Sequence, residues 1–181
     1  MQKSRVTKTT RVLSAAQIKR VLAGFARRIS EEYRDSGSLA FIGIRTRGPT
    51  LARRVAGALQ EKHGVQVPVG ELDITLYRDD LNTLLPKGRI DATHIPFEIS
   101  DKTLILFDDV LHTGRTVRAA VDHLMALGRP RAILLAVLVD RGGRELPIEA
   151  RLVGKEVDVS KGGDVRVRLA EIDKTDEVIV A

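Results

Sequence analysis

Residues 104–116 read LILFDDVLHTGRT, and this stretch decides the fold. An apolar run typical of a buried strand leads into Asp108 and Asp109, and a polar turn follows, with a helix predicted from about Arg115 to Leu127. In an open α/β sheet, ligands bind beyond the carboxyl ends of the strands, where these aspartates and the turn would lie. A turn of small residues at a helix N-terminus offers unpaired N–H groups and the positive end of the helix dipole. The stretch therefore predicts a phosphate site beside two acids.

The two aspartates cannot have the same role, because neighbouring side chains on a strand point to opposite sides. Carboxylates accept hydrogen bonds from sugar hydroxyls, while backbone amides hold a phosphate. Gly114 lets the backbone approach closely, and the hydroxyls of Thr113 and Thr116 add donors. Taken singly, the acids are also typical of a solvated strand end and the turn of a plain helix cap. The order of strand, acids, turn and helix favours a ribose phosphate site.

Strands and helices alternate along the rest of the chain. A capping box at Ser14 and Gln17 predicts the start of a helix that ends near residues 33–37. Buried strands are predicted at Leu39–Ile44 and at residues 132–139, and a helix is marked by apolar residues from 51 to 59 and ends at residues 63–64. We expect short strands at residues 65–69 and 71–76, a long loop at residues 77–94, and tail strands at residues 165–169 and 178–180. This order predicts one α/β domain over residues 1–181, with a parallel sheet covered on both faces.

The amino-acid composition limits the classes of function that are open to this chain. Lysine and arginine total 30 against 24 acids, and 21 of the 30 are arginines, whose planar fork suits phosphate; a solvated basic surface is the equally open alternative. The absence of cysteine excludes a disulfide framework, a zinc–thiolate site and a cysteine nucleophile. Aromatic residues are only 3%, too few for binding single strands by base stacking. No signal peptide and no apolar run of about 20 residues is visible, which predicts a cytoplasmic protein without a membrane partner.

The run at residues 104–116 resembles the phosphoribosyl-pyrophosphate (PRPP) signature of the type I phosphoribosyltransferases. Three more segments, GIRTRG at 43–48, ELDITLYRDDL at 71–81 and the LVDRG and RELPI stretches within 138–148, are similar to one group of that family. This group consists of bacterial regulators of the pyrimidine operon that also have uracil phosphoribosyltransferase activity. The resemblance implies the type I phosphoribosyltransferase fold, a central parallel sheet flanked by helices with a small hood from segments near both chain ends.

The resemblance also implies site residues. Those implied for catalysis are Asp108 and Asp109 at the ribose hydroxyls and Tyr77 and Arg78 in a closing loop. Those implied for pyrophosphate are Arg45, Thr46 and Arg47. The loop implied for the 5-phosphate consists of Val110, Leu111, His112, Thr113, Gly114, Arg115 and Thr116. The base is expected to contact Val139, Asp140 and Arg141, chiefly through the backbone. Mg²⁺ is expected to bind with PRPP through substrate oxygens, since magnesium prefers these to an all-protein cage.

The implied function is twofold. The enzyme would convert uracil and PRPP to UMP and diphosphate, and the regulator would bind the pyr mRNA leader under control of UMP or UTP. RNA contacts are expected at Arg27, Arg144 and Lys155, in a homodimer or a dimer of dimers. Two alternatives stay open: a phosphoribosyltransferase for hypoxanthine or orotate without RNA regulation, and an RNA-binding regulator whose site only senses nucleotide.

The sequence departs from this family at two positions near the site. His112 stands where the family usually has tyrosine. Gly143 stands where a histidine often follows the DRG segment. We therefore expect contacts near the ribose phosphate and the base to differ from those of the relatives.

Overall fold

A computed structural model describes residues 9–33, 36–74, 93–159 and 163–181 of the chain. Within these ranges the helices are α1 (Ala15–Glu32), α2 (Gly48–His63), α3 (Arg115–Leu127) and α4 (Ala170–Asp173). The strands are β1 (Thr10–Ser14), β2 (Leu39–Ile44), β3 (Val69–Leu72), β4 (Thr103–Leu111), β5 (Ala132–Asp140), β6 (Leu152–Glu156), β7 (Val165–Arg168) and β8 (Glu177–Val180).

Five strands form a parallel sheet in the order β3-β2-β4-β5-β6, which confirms the predicted sheet. The central strand β4 pairs with β2 from Leu39↔Thr103 onward and with β5 as far as Leu111↔Asp140. Parallel strands end at the same edge of a sheet. The predicted phosphate loop and the end of β5 therefore lie side by side.

Helices cover the sheet on both faces. Every residue of β2 is buried; Leu39 and Phe41 pack with α1 and α2, whereas Ala40 and Ile42 pack on the α3 side. The rings of Phe41 and Phe107 meet edge to face at 5.0 Å, which joins β2 to β4 within the first of these layers. Burial on both faces is what the continuous apolar strands predicted.

A second sheet, β1-β8-β7, forms a small hood from segments near both ends of the described chain. Its strands are antiparallel, with Thr10↔Val180 and Val165↔Val180 in register. Its buried residues Val165, Val167 and Val178 belong to the same apolar core as α1 and α2. The predicted hood is thus confirmed, and it packs against the helices rather than standing apart.

Helix ends follow local signals in the sequence. The capping box is present at α1, where Ser14 N donates to Gln17 Oε1 at 2.8 Å. Helix α2 ends at Gly64, whose φ of 68° is in the left-handed region that glycine adopts without strain. Helix α3 spans the predicted residues, Arg115–Leu127.

Two predictions in the middle of the chain are wrong. Residues 65–68 form no strand, and the short strand β3 begins at Val69, because Pro68 has no N–H to donate to a ladder; its carbonyl instead accepts from Phe41 N at 2.9 Å. In the predicted strand 71–76, β3 ends at Leu72, and residues 75–76 lie outside the described ranges.

The loop predicted at residues 77–94 extends too far toward the C-terminus. Residues 77–92, which include Tyr77 and Arg78, lie outside the described ranges. His94 instead forms an antiparallel bridge with Glu71, whose N–H donates to His94 O at 2.8 Å while His94 N donates to Glu71 O at 2.9 Å. His94 is therefore held at the edge of the sheet.

Strand β4 is longer than predicted, because it continues through the two aspartates to Leu111. Strands β1 and β6 are not predicted from the sequence, because they have few consecutive apolar residues. No helix in the described ranges is long and apolar enough to cross a membrane.

Candidate active site

Asp108 and Asp109 lie within β4, near its carboxyl end. Asp108 is only 7% exposed, and its Oδ1 accepts a hydrogen bond from Asp109 N at 2.9 Å. Asp109 is half-buried, and its Oδ1 accepts from Val110 N at 2.9 Å. Each carboxylate is thus oriented by the backbone N–H of the next residue.

Burial raises the pKa of the Asp109 carboxyl, because a charge loses favourable hydration inside the protein. The positive charge of Arg47 and the hydrogen bond from Val110 act in the opposite direction without cancelling the effect of burial on this pKa. Arg47 therefore lies close enough to act on Asp109. A partly desolvated acid beside an arginine is a typical feature of ligand sites.

The predicted phosphate loop is the turn between β4 and α3. Gly114, with φ 91°, directly precedes the first turn of the helix, and Thr113 Oγ1 accepts from Arg115 N at 3.3 Å. The loop borders an open cavity of about 400 Å³. The residues that line it are Asp108, Val110, Leu111, His112, Thr113, Gly114, Arg115, Thr116, Val117 and Glu145. The structure thus joins Asp108 to the whole predicted phosphate loop, and Asp109 is not among the lining residues.

The predicted pyrophosphate loop follows β2. Gly43 and Gly48 flank it, and a Cβ on Gly48 would overlap the carbonyl of Phe107, so the loop lies tightly against β4. The peptide bond between Arg45 and Thr46 is cis. Packing of the two glycines therefore brings residues 45–47 to the same edge of the sheet as the aspartates.

Both arginines of this loop have acidic neighbours. Arg47 Nη2 donates to the Asp173 carboxylate of the hood at 2.9 and 3.1 Å. Arg45 lies 3.7 Å from Glu71, which also pairs with Arg53. A diphosphate that binds here would compete with carboxylates for these guanidinium groups.

The predicted base segment, at the end of β5, is already part of a hydrogen-bond network. Val139 is buried, and Asp140 O accepts from Val157 N at 2.8 Å. Arg141 N donates to Leu111 O at 3.0 Å, and Arg141 Nη2 donates to Gly163 O at 2.7 Å. The segment therefore touches the phosphate loop directly.

The three residues predicted to bind RNA lie in different environments. Arg27 is exposed on α1 and pairs with Glu31 at 3.3 Å, and Lys155 is exposed near the end of β6. Arg144 has a side chain only 24% exposed and forms an ion pair with Asp140. Arg27 and Lys155 are available to a large partner, whereas most of Arg144 faces the protein.

Three residues at the site were not predicted from the sequence. Val117 and Glu145 line the cavity, and Asp173 accepts hydrogen bonds from Arg47. Glu145 lies in the RELPI segment, whose similarity to the family assigns no role to this residue. Nothing in the sequence links Asp173 to Arg47, because the two are 126 residues apart.

The described residues hold no group of three or more side chains suited to a metal ion. The carboxylates that line the cavity are those of Asp108 and Glu145, and Asp109 is the next residue of β4 after Asp108. This donor set fits a hard cation that takes most of its ligands from substrate oxygens and water.

The fold and the site define a type I phosphoribosyltransferase. The family model of the phosphoribosyl transferase domain matches residues 8–168. Among solved structures, the hypoxanthine phosphoribosyltransferase of Trypanosoma cruzi superimposes with a TM-score of 0.71 at 18% identity, covering 94% of this chain and 95% of the other. A hypoxanthine phosphoribosyltransferase from Staphylococcus aureus gives 0.68 at 17% identity, with 94% and 90% covered. At such identities these structures show the fold and not the base.

Curated relatives are much more similar. The bifunctional protein PyrR of Pelotomaculum thermopropionicum is 51% identical over 169 residues, which cover 93% of either chain. That of Deinococcus radiodurans is 53% identical over 167 residues, covering 92% of this chain and 91% of the relative. The chain therefore belongs to the family of bifunctional PyrR proteins.

Proposed function

We propose that the cavity at the carboxyl ends of β4 and β5 is where this chain transfers the phosphoribosyl group of PRPP to uracil. Uracil phosphoribosyltransferase activity and regulation of pyrimidine synthesis are the two functions of the PyrR family to which the chain belongs. The observation that carries the assignment is that Asp108 and the loop after it line one cavity. That cavity adjoins the segment at the end of β5, where Arg141 N bonds to Leu111 O.

The proposed roles combine this geometry with the roles that the family resemblance implies. The 5-phosphate binds to the loop of residues 110–116, where the N-terminus of α3 and its N–H groups attract an anion. Asp108 and Asp109 accept hydrogen bonds from the ribose hydroxyls. Residues 45–47 bind the diphosphate, and Val139–Arg141 meet the base. Tyr77 and Arg78, outside the described ranges, keep their proposed place in a loop that closes over PRPP and excludes water.

The reaction needs no protein nucleophile. A uracil N–H nitrogen forms a bond to the anomeric carbon of PRPP and loses its proton to solvent, and the bond from that carbon to the diphosphate oxygen breaks, with its electron pair leaving on the diphosphate. The ribose ring is positive in the transition state, and the β4 carboxylates stabilise that charge. Holding both substrates in line supplies most of the remaining acceleration. Mg²⁺, bound with PRPP beside Asp108 and Asp109, would neutralise charge on the diphosphate.

For regulation, we place the pyr mRNA contacts on the exposed cations Arg27 and Lys155, with Arg144 at the edge of the site. UMP is the product of the transferase reaction and UTP carries the same ribose 5-phosphate unit, so both would fit the same cavity. Binding of nucleotide there and of RNA on the surface would then be linked. A homodimer or a dimer of dimers would present two or more such surfaces to one transcript.

The transferase assignment is tested with a panel of bases. Diphosphate release from PRPP is measured with uracil, hypoxanthine or orotate present. We expect release with uracil alone among the three. Release with hypoxanthine or orotate and none with uracil would contradict the assignment of the base.

The regulatory assignment is tested by RNA binding with and without UMP across salt concentrations. We expect UMP to change the affinity for the leader transcript and salt to weaken it. Arg27→Glu should weaken binding, and Arg118→Glu serves as the matched control, since Arg118 also pairs with an acid four residues on, Asp122. Equal loss in both variants would show that only general charge matters.

A further inference from the structure

Residues 141–146, which follow β5, are hydrogen-bonded to the backbone of the phosphate loop. The carbonyl groups of residues 111 to 113 all accept hydrogen bonds from this segment. The donors are Arg141 N to Leu111 O at 3.0 Å, Arg144 Nη1 to His112 O at 2.8 Å, and Glu145 N and Leu146 N to Thr113 O at 3.0 and 3.1 Å. The segment therefore fixes the direction in which these carbonyl groups point.

The direction of these carbonyl groups affects how well the loop can bind an anion. In a trans peptide the C=O of one residue and the N–H of the next lie in one rigid plane and point in opposite directions. Carbonyls held toward the segment thus direct the N–H groups of His112, Thr113 and Gly114 to the other side of the loop. Consecutive N–H groups turned to one side attract phosphate, whereas a carbonyl oxygen turned there would repel it.

Within the segment, the side chain of Arg144 contacts both the phosphate loop and the base segment at the end of β5. Besides His112 O, its guanidinium donates from Nε to Ile148 O at 3.0 Å and from Nη1 to Gly142 O at 3.4 Å. Its Nη2 pairs with the carboxylate of Asp140, which also accepts from Gly142 N at 2.9 Å. One side chain thus joins the phosphate loop to the base segment.

We infer that Arg144 is a positioning residue for the transferase reaction, acting through the backbone of the phosphate loop and through Asp140. The inference rests on the proposed function of the cavity. Arginine suits this role because its fork directs donors in several fixed directions, which the single ammonium group of lysine does not. Loss of the guanidinium would free the His112 carbonyl to turn and would loosen Asp140 at the same time.

The experiment compares Arg144→Ala and Arg144→Lys with the control Arg118→Ala, which removes an exposed arginine on α3. We expect Arg144→Ala to raise the KM for PRPP by about 10- to 100-fold, as for the loss of a charged hydrogen bond. The KM for uracil should rise with it, and Arg144→Lys should restore only part of the loss. Free guanidinium at low concentration should improve PRPP binding in Arg144→Ala and leave Arg118→Ala unchanged.

PRPP binding measured by calorimetry gives the same comparison without turnover. This measurement also distinguishes failure of the inference from failure of the proposed function. If the wild-type protein binds PRPP but does not convert uracil, only the proposed function is overturned. A KM and an affinity for PRPP within about twofold of wild type in both Arg144 variants would overturn the inference, as would a loss confined to RNA binding. If Arg144→Ala does not fold, Arg144→Lys alone decides between these outcomes.

Discussion

At the scale of single residues, His112 lies close to Gly143, and these are the two positions where we expected contacts to differ from those of the relatives. A Cβ on Gly143 would lie 2.9 Å from His112 Nε2. Gly142, its neighbour, has a similar left-handed backbone, with φ 67° against 72°, but nothing within 4 Å of its Cβ position. The imidazole of His112 therefore occupies the space that a side chain at position 143 would need.

This pair of glycines provides a matched test. Gly142→Ala and Gly143→Ala should each lower stability by about 1–2 kcal/mol, because alanine is strained at positive φ. Only Gly143→Ala should also displace His112, which lines the phosphate cavity, and so raise the KM for PRPP. Thermal unfolding and steady-state kinetics measure the two effects. The same KM in both variants would argue against the role of His112.

Asp109 leads to a second prediction, which concerns pH. Because burial raises the pKa of its carboxyl, Asp109 binds a proton at a higher pH than an ordinary aspartate. If the ionised form contacts the ribose, the acid limb of kcat/KM for PRPP lies above the ordinary carboxyl range. Asp109→Asn should lower activity, about 100-fold or more when combined with Asp108→Asn, and should remove this limb.

The same raised pKa determines the sign of the stability effect. A carboxyl whose folded pKa exceeds its unfolded pKa disfavours the folded state at pH values above both. Asp109→Asn should therefore unfold at a higher temperature than wild type at neutral pH, while catalysing more slowly. Unchanged turnover in the double variant would contradict the proposed ribose contact.

At the scale of secondary structure elements, the sequence was most informative where local signals are strong. The capping box gave the start of α1, and nine consecutive buried or half-buried residues make up β4. Strands β1 and β6 carry weak patterns of their own and are stabilised by pairing with other strands, β1 with the distant β8 and β6 with β5. Local periodicity cannot reveal such pairing.

The segment that connects β7 to β8 of the hood, and that includes α4, forms a cluster of ion pairs with α2 and the residue before it. Arg54 bonds to Glu171 at 2.5 and 2.9 Å and to Asp176 at 2.8 and 3.1 Å, and Arg47 bonds to Asp173. The hydrogen bond from Arg54 is the largest cause that lowers the pKa of Glu171. For Asp176, burial raises the pKa of the carboxyl, but the hydrogen bonds from Arg54 and from Ala170 N, together with the charge of Arg54, lower this pKa by more. These carboxylates therefore hold the hood best when ionised.

A third prediction follows for acid conditions. Since both pKa values are lower in the folded protein, the stabilisation is present above the ordinary values of 4.5 and 3.8 and is lost as the pH falls through the folded values. We expect amide hydrogen exchange in β7 and β8 to accelerate with acid more than in β4, after correction for intrinsic rates. Arg54→Met should accelerate exchange in the hood at neutral pH and reduce this acid dependence. Equal acid dependence in the variant and the wild type would contradict the role of Arg54.

At the scale of the whole molecule, the sequence predicted the sheet, the hood and the place of the phosphate loop. Its order of strand, acids, turn and helix is local, so it can be interpreted without knowing what packs around it. The partnership of Arg47 with Asp173 and the inward direction of Arg144 depend on chain segments brought together only by folding. For this reason Arg144 looked like a surface cation in the sequence and is mostly enclosed in the structure.

The position of β8 between β1 and β7 has a consequence for the folding pathway. Strand β1 reaches its partner across a loop that contains the entire central sheet, and contacts of such long sequence separation form slowly. We expect the central sheet, whose neighbouring strands are closer in sequence, to consolidate first and the hood to dock afterwards. Arg47 then acquires its Asp173 partner only in the final docking step, so a refolding chain regains its overall architecture before its ligand-binding competence.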